Sequence, residues 1–193
     1  MTNRLVDHQE PTESGSVKDG WATFAGEINS NTVNRIFNLF ANATNNGYTH
    51  VHLIFQTTGG VIGDGIAIYN YLRSLPIEVT LYNVGQIASV GTVAFLGAKN
   101  RITSKHATFM IHRSYASPMQ ATSERMAAYV QSLALDDNRV ESIFHEMTTL
   151  TDEHWAIHKN SDLWLSASDA VKHGVASSLG DFAPPLGTGL VNV

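Results

Sequence analysis

Three side chains in this sequence belong to the types that together perform acyl transfer: Ser89 in "GQIASVGTVAF", His112 at the end of "ATFMIH", and Asp162 in "NSDLWLSASDA". Ser89 opens an apolar helical pattern straight after a strand-like run. There the first backbone N–H groups of a helix lack intrahelical partners and the helix dipole favours negative charge. A hydroxyl at that point is either an N-cap or a nucleophile. Ala88 and Gly91 keep the backbone around it reachable, although Ile87 stands where a G-x-S-x-G elbow has its first glycine. His112 closes an apolar strand, which presents an imidazole beside a loop as a general base requires. Asp162 precedes Leu163 and Trp164, so it is either a carboxylate shielded enough to orient an imidazole or a plain loop aspartate ahead of a helix cap.

A glycine pair supplies a fourth piece. In "QTTGGVIGDG", Gly59 and Gly60 follow a strand directly, and without a Cβ their amides can turn toward a neighbouring site. A simple turn is the alternative. A phosphate loop is not, because neither G-x-G-x-x-G nor G-x-x-x-x-G-K-[ST] is matched. The chain has nine histidines. Surface or packing roles are expected for His8, His50, His106, His145 and His173. His154 and His158 stand four apart, as a helical metal pair would, but with no Glu of the H-E-x-x-H kind and no third ligand nearby. No metal site and no cofactor are expected.

Composition narrows the classes. The 193 residues suit one domain with a sizeable core, and an apolar fraction of 43% with 15% charged residues is ordinary for a globular chain. Cysteine is absent, which excludes disulfides, thiolate metal sites and cysteine nucleophiles together. A net charge of −5 without a Lys/Arg cluster argues against nucleic acid as a partner. No apolar run reaches the roughly 18 residues of a membrane span, so no membrane partner and a cytoplasmic location are expected.

The elements that must position these groups alternate in type. Residues 1–20 are polar and read as a mobile leader. "WATFAGEI" is strand-like, and "SNTVNRIFNLFANATNNG" carries Val33, Ile36, Phe37 and Phe40 at helical spacing, with Ser30 or Asn31 placed to cap. "THVHLIF" and the helix "IAIYNYLRSL" follow, then "IEVTLYNVGQ" and the helix after Ser89. "RITS" and "ATFMIH" read as short strands. Strand and helix alternating in this way predict an α/β layered fold with largely parallel strands. Residues 121–149 form the longest helical pattern. Met126, Val130, Leu133, Val140, Phe144 and Met147 recur at spacings of four, three, seven, four and three, a narrow stripe roughly 40 Å long at 1.5 Å per residue. Such a stripe packs on its own domain or on a second subunit. "LSASDAVKHGV" is a capped short helix ending at Gly174, and residues 181–193 read as a loose tail after a domain over 21–180.

Taken in order, "TTGG" before a helix, "GQIASVGTVAFLGAKNRI", "FMIHR", "QATSERMAAYV" and "DLWLSASDAVKHGV" resemble the proteolytic subunits of ATP-dependent Clp proteases, within the Clp-protease/crotonase superfamily, over about residues 22–176. The resemblance implies a spiral of ββα units with a projecting handle helix. It makes Ser89 the nucleophile, His112 the general base and acid, and Asp162 the partner of the imidazole, with the amides of Gly60 and Val90 as the oxyanion hole. It also implies a homo-oligomer of stacked, heptameric rings, with the long helix interlocking them, and peptides or unfolded proteins as substrates.

The departures carry their own expectations. "TTGG" stands where the family has "SPGG" and retains both glycines. "RSYASPM" follows His112 in place of a glycine-bearing stretch, and Pro118 cannot donate a ladder hydrogen bond to an extended substrate. "HKNS" precedes Asp162 where the family often has an Arg-Asp element tied to ring pairing. His52 and Ile54 occupy positions where the family's docking groove is aromatic, which predicts weak or altered docking of an AAA+ unfoldase. Three functions stay open on the sequence: a serine endopeptidase in a closed ring, which leads; a ring subunit of little activity; and a crotonase-type acyl-CoA enzyme that holds a thioester enolate with the glycine amides.

Overall fold

The computed structural model describes residues 17–115 and 120–193. Most of the expected leader, up to residue 16, and Pro118 lie outside the described residues. The chain runs β1 (Asp19–Ala25), α1 (Ser30–Asn45), β2 (His50–Gln56), α2 (Ile62–Ser74), β3 (Glu78–Asn83), β4 (Gln86–Ala88), α3 (Val90–Leu96), β5 (Asn100–Thr103) and β6 (Thr108–Ile111). It continues through α4 (Ser123–Met147), α5 (Asp152–Asn160), β7 (Leu163–Ser166), α6 (Ala167–Lys172), β8 (Ser178–Leu179) and β9 (Val191–Asn192).

A six-stranded sheet of order β8-β5-β3-β2-β1-β9 is parallel throughout. Strand β4 leaves it to begin a second sheet, β4-β6-β7, in which β4 and β6 are parallel and β6 and β7 antiparallel. A bridge between Thr57 and Ile87 ties the end of β2 to β4. The α/β fold with mostly parallel strands is thus the one anticipated from the alternating pattern. In β2, Val51, Leu53 and Phe55 are buried while His50, His52 and Ile54 lie on the opposite face, as a period of two dictates. The core centres on Phe24, Phe40, Phe55, Phe95, Phe109 and Phe144, all fully buried. Each contributes about 1.5–3 kcal/mol of transfer free energy.

The local differences from expectation have physical reasons. Asn29, not Ser30 or Asn31, caps α1: its extended backbone lets the side chain accept from Thr32 N at 3.1 Å, and Thr32 Oγ1 donates to Glu27 O at 2.6 Å, which fixes the start one residue earlier. Helix α5 was not anticipated; it is held at its start by Thr151 and His154 in a reciprocal capping box, with Asp152 and Glu153 in the first turn. Residues 181–193, expected to be a loose tail, are tethered. Phe182 packs edge-on against Trp21 and Tyr82, β9 pairs with β1, and buried Val193 donates its N–H to Thr23 O at 2.8 Å.

Helix α4 has 25 residues and two unlike halves. Its C-terminal half packs into the domain through Val140, Phe144 and Met147. Its N-terminal half leaves Met126, Tyr129, Val130 and Leu135 exposed. Among the described residues, no helix is long and apolar enough to cross a membrane.

Candidate active site

Ser89 occupies the N-cap position of α3 but does not behave as a cap: its side chain makes no capping hydrogen bond. Its backbone lies at φ 57°, ψ −137°, and among the described residues it alone is a non-glycine with positive φ. Such a conformation costs on the order of 1–3 kcal/mol and persists only where the surroundings enforce it. They do so here. Ser89 N donates to Met110 O at 2.8 Å, and Ala88 N to Thr57 O at 2.9 Å, so the turn hangs between β2 and β6. Of the two readings left open by the sequence, N-cap or nucleophile, the first lacks its hydrogen bond here.

Gly59 and Gly60 lie against this turn with φ of 99° and 152°. A Cβ on Gly59 would stand 2.6 Å from Ser89 Cβ and 3.1 Å from Ser89 Oγ, and one on Gly60 would collide with Ile28 O. Ile28 N donates to Gly59 O at 2.8 Å and Val61 N to Ile28 O at 2.9 Å, which fixes the loop. Neither the Gly60 nor the Val90 amide donates to another backbone carbonyl among the described residues. Val90 N–H is the first of α3, at the positive end of the helix dipole.

One pocket of about 240 Å³ is lined by Gly60, Ser89, Val90 and His112, with Tyr115 and Val140 at its sides. Four of the five residues singled out in the sequence thus meet in one cavity. The fifth, Asp162, is exposed and does not line that cavity. The paired ladder stops just short of both residues: β6 and β7 pair antiparallel with Ile111 opposite Leu163, and His112 and Asp162 each adjoin that last pair. The imidazole is turned elsewhere: His112 Nδ1 donates to Arg113 O at 2.6 Å. That bond puts the proton on Nδ1 and the lone pair on Nε2, the form a general base needs, but it uses the nitrogen through which a carboxylate would orient the ring.

The segment after His112 is secured by a residue the sequence reading missed. Asp137, in the middle of α4 and buried, takes Arg113 Nη2 at 2.6 Å, Arg113 Nε at 2.8 Å and Ser114 N at 2.7 Å. Burial pulls its carboxyl upward, but the bonds from Ser114 and Arg113 outweigh this and hold it below the usual carboxylate range. The signal was present in the stripe on α4, whose gap of seven between Leu133 and Val140 contains Asp137 at the missing helical step. Beside it, His158 is buried, 3.9 Å from Glu141, with Nε2 unpartnered among the described residues. Burial holds this imidazole below its ordinary range despite the attraction of Glu141 and Asp137. His154 is engaged in the α5 cap, so the 154/158 pair is divided between two structural duties.

This arrangement offers a hydroxyl on a strained turn, an imidazole in the same cavity and two amides unpaired among the described residues, the parts of an acyl-transfer site. The Clp protease family model matches residues 15–181. Proteolytic subunit 2 of the ATP-dependent Clp protease of Pseudomonas aeruginosa is 24% identical over 131 residues, which is 67% of this chain and 65% of that one. The ATP-dependent Clp protease proteolytic subunit of Streptococcus sanguinis is 29% identical over 165 residues, 82% of this chain and 83% of its own. A solved ClpP1 mutant of Listeria monocytogenes shares the fold with a TM-score of 0.73 at 18% identity, over 83% of this chain and 91% of that one. With the family match spanning nearly all of the described core, the chain belongs to the Clp protease family of serine-type endopeptidases.

Proposed function

We propose that this chain hydrolyses peptides or unfolded proteins through an acyl-enzyme on Ser89, as a cytoplasmic subunit of a ring-shaped homo-oligomer. Ser89 Oγ attacks the scissile carbonyl while His112 Nε2 accepts its proton. The negative oxygen that develops is received by the amides of Gly60 and Val90, the latter aided by the α3 dipole. His112 then gives its proton to the leaving amine, and water, deprotonated by the same nitrogen, releases the acid and restores Ser89. Asp162, which adjoins the last pair of the β6–β7 ladder as His112 does, acts once His112 Nδ1 swings from Arg113 O to its carboxylate.

The observation that carries this reading is the uncapped, positive-φ Ser89 sharing one cavity with His112. The exposed apolar residues on the N-terminal half of α4 support ring contacts made by that helix. An unfoldase docking on the β2 face would meet His52 and Ile54 where the family's groove is lined by aromatics, so its engagement is weak or altered. A second reading, a ring subunit of little activity, is favoured by the bond of His112 to Arg113 O and by the exposure of Asp162. A serine-directed fluorophosphonate probe separates the two on the assembled protein. Labelling confined to Ser89 is expected, and an assembled but unlabelled ring supports the inactive subunit.

A further inference from the structure

On the outer face of the six-stranded sheet, far in sequence from the Ser89 pocket, Asp19, His50 and His52 each offer a ligand atom within 4.8 Å of the other two. Strand geometry is what gathers them. His50 and His52 are two apart on β2 and so share a face, and Asp19, the first residue of β1, pairs with His50 across the parallel ladder. From these contacts we infer that Asp19, His50 and His52 form a binding site for a borderline divalent transition metal of the Zn²⁺ class.

The surroundings are those of a metal site. His50 Nε2 is 2.8 Å from Thr80 Oγ1, and His52 Nδ1 is 3.0 Å from Tyr82 OH, both partners on the adjacent strand β3. Each imidazole thus spends one nitrogen on a hydroxyl. When that nitrogen is the donor, the other carries the lone pair a metal needs, and the hydroxyl fixes the tautomer and the ring direction as outer-layer partners of ligating histidines do. Trp21 stacks on His52 at 4.0 Å and 11°, and the two imidazoles lie 4.0 Å apart. Stacking holds the ring by its face and leaves the in-plane lone pair free. Tetrahedral coordination with bonds of about 2.0–2.2 Å needs ligand atoms about 3.3 Å apart, a contraction within reach of small side-chain rotations. Two imidazoles and one carboxylate favour Zn²⁺, Co²⁺, Ni²⁺ or Cu²⁺ over Mg²⁺ or Ca²⁺, and three protein ligands leave a fourth position for water or an outside donor. A bound ion clips the start of β1 to β2. The site does not depend on the peptidase reading.

The test is calorimetric titration of the full chain with Zn²⁺, and optical titration with Co²⁺ as the spectroscopic probe. One equivalent in the micromolar range is expected, with Co²⁺ giving the intense visible bands of low-symmetry four-coordination and Mg²⁺ giving no heat. His50→Ala and His52→Ala each weaken Zn²⁺ binding by at least about tenfold, and Asp19→Asn, at an exposed position where folding is not at stake, weakens it as well. His106→Ala, on an exposed residue elsewhere, changes nothing. Absence of stoichiometric Zn²⁺ binding overturns the site, as does binding that survives all three ligand substitutions unchanged.

Discussion

Across one pocket the chain treats its two reactive side chains differently. Ser89 is set by the main chain itself, with Met110 O, Thr57 O and the bare α-carbon of Gly59 closing on the turn from three directions. His112, opposite, rests its Nδ1 on the carbonyl of Arg113, and that segment is held by the Arg113 side chain and the Ser114 amide, both reaching Asp137 on α4. The nucleophile and the two amides are therefore pre-organised by short-range backbone geometry, which leaves little freedom. The base depends on a longer lever: a loop, an ion pair and the helix α4, whose N-terminal half leaves Met126, Tyr129, Val130 and Leu135 exposed among the described residues. A site built this way keeps its strained half ready and leaves the alignment of the imidazole as the adjustable step.

The comparison breaks most sharply at Asp162. Replacing it with Asn should lower kcat for a peptide substrate by about 10³–10⁴-fold if the carboxylate takes over Nδ1 during turnover, and should leave stability within about 0.5 kcal/mol because the group is exposed. Unchanged kcat in this variant would show that the geometry with Arg113 O is itself the working one. On the nucleophile side, Gly59→Ala forces a Cβ to within 2.6 Å of Ser89 Cβ at a φ of 99°. Turnover should drop by roughly 10²-fold or more, together with a lower melting temperature, since the turn is over-determined. Wild-type kinetics there would mean that the Ser89 turn is not rigid.

Asp137→Ala addresses the lever. It strands the half-buried Ser114 amide and the half-exposed Arg113, a loss of about 1–3 kcal/mol in denaturant unfolding. It should also cost about 10- to 100-fold in kcat through misplacement of His112. The smallest effect is in pH. The Asp137 carboxyl lies lower in the folded chain than in the unfolded one, so its contribution is complete above about pH 4 and fades as pH drops toward the folded value. Buried His158 is lowered too, so the chain loses stability as pH falls below about 6.5, where the unfolded imidazole binds a proton first. Stability measured between pH 7 and 5 should decline in the parent and decline less steeply in His158→Gln, where the lowered His52 still contributes. Identical slopes in the two proteins would remove His158 from this account.

Much of this was legible because it follows simple periods. The alternation in β2, the apolar run into α3 and the flanking Gly59, Gly60 and Gly91 each carry their signal within a few residues. What escaped depends on contacts between distant segments. "NSNT" holds consecutive residues able to cap, and only the bond of Thr32 to Glu27 O selects Asn29. Helix α5 has little apolar periodicity and declares itself through its Thr151 cap instead. Strand β9 is two residues long, too short for any period, and exists because β1 offers an edge. Asp137 looked like a break in the α4 stripe, when it is the member of that stripe that grips the His112 segment.

The most direct test of the central claim is the steady-state hydrolysis of a fluorogenic peptide by the intact protein and by Ser89→Ala, on samples of equal oligomeric mass. A loss of at least about 10³-fold in kcat/KM is expected, with stability unchanged or slightly raised, since an uncapped hydroxyl is all that is removed. Equal turnover by the two proteins would contradict it.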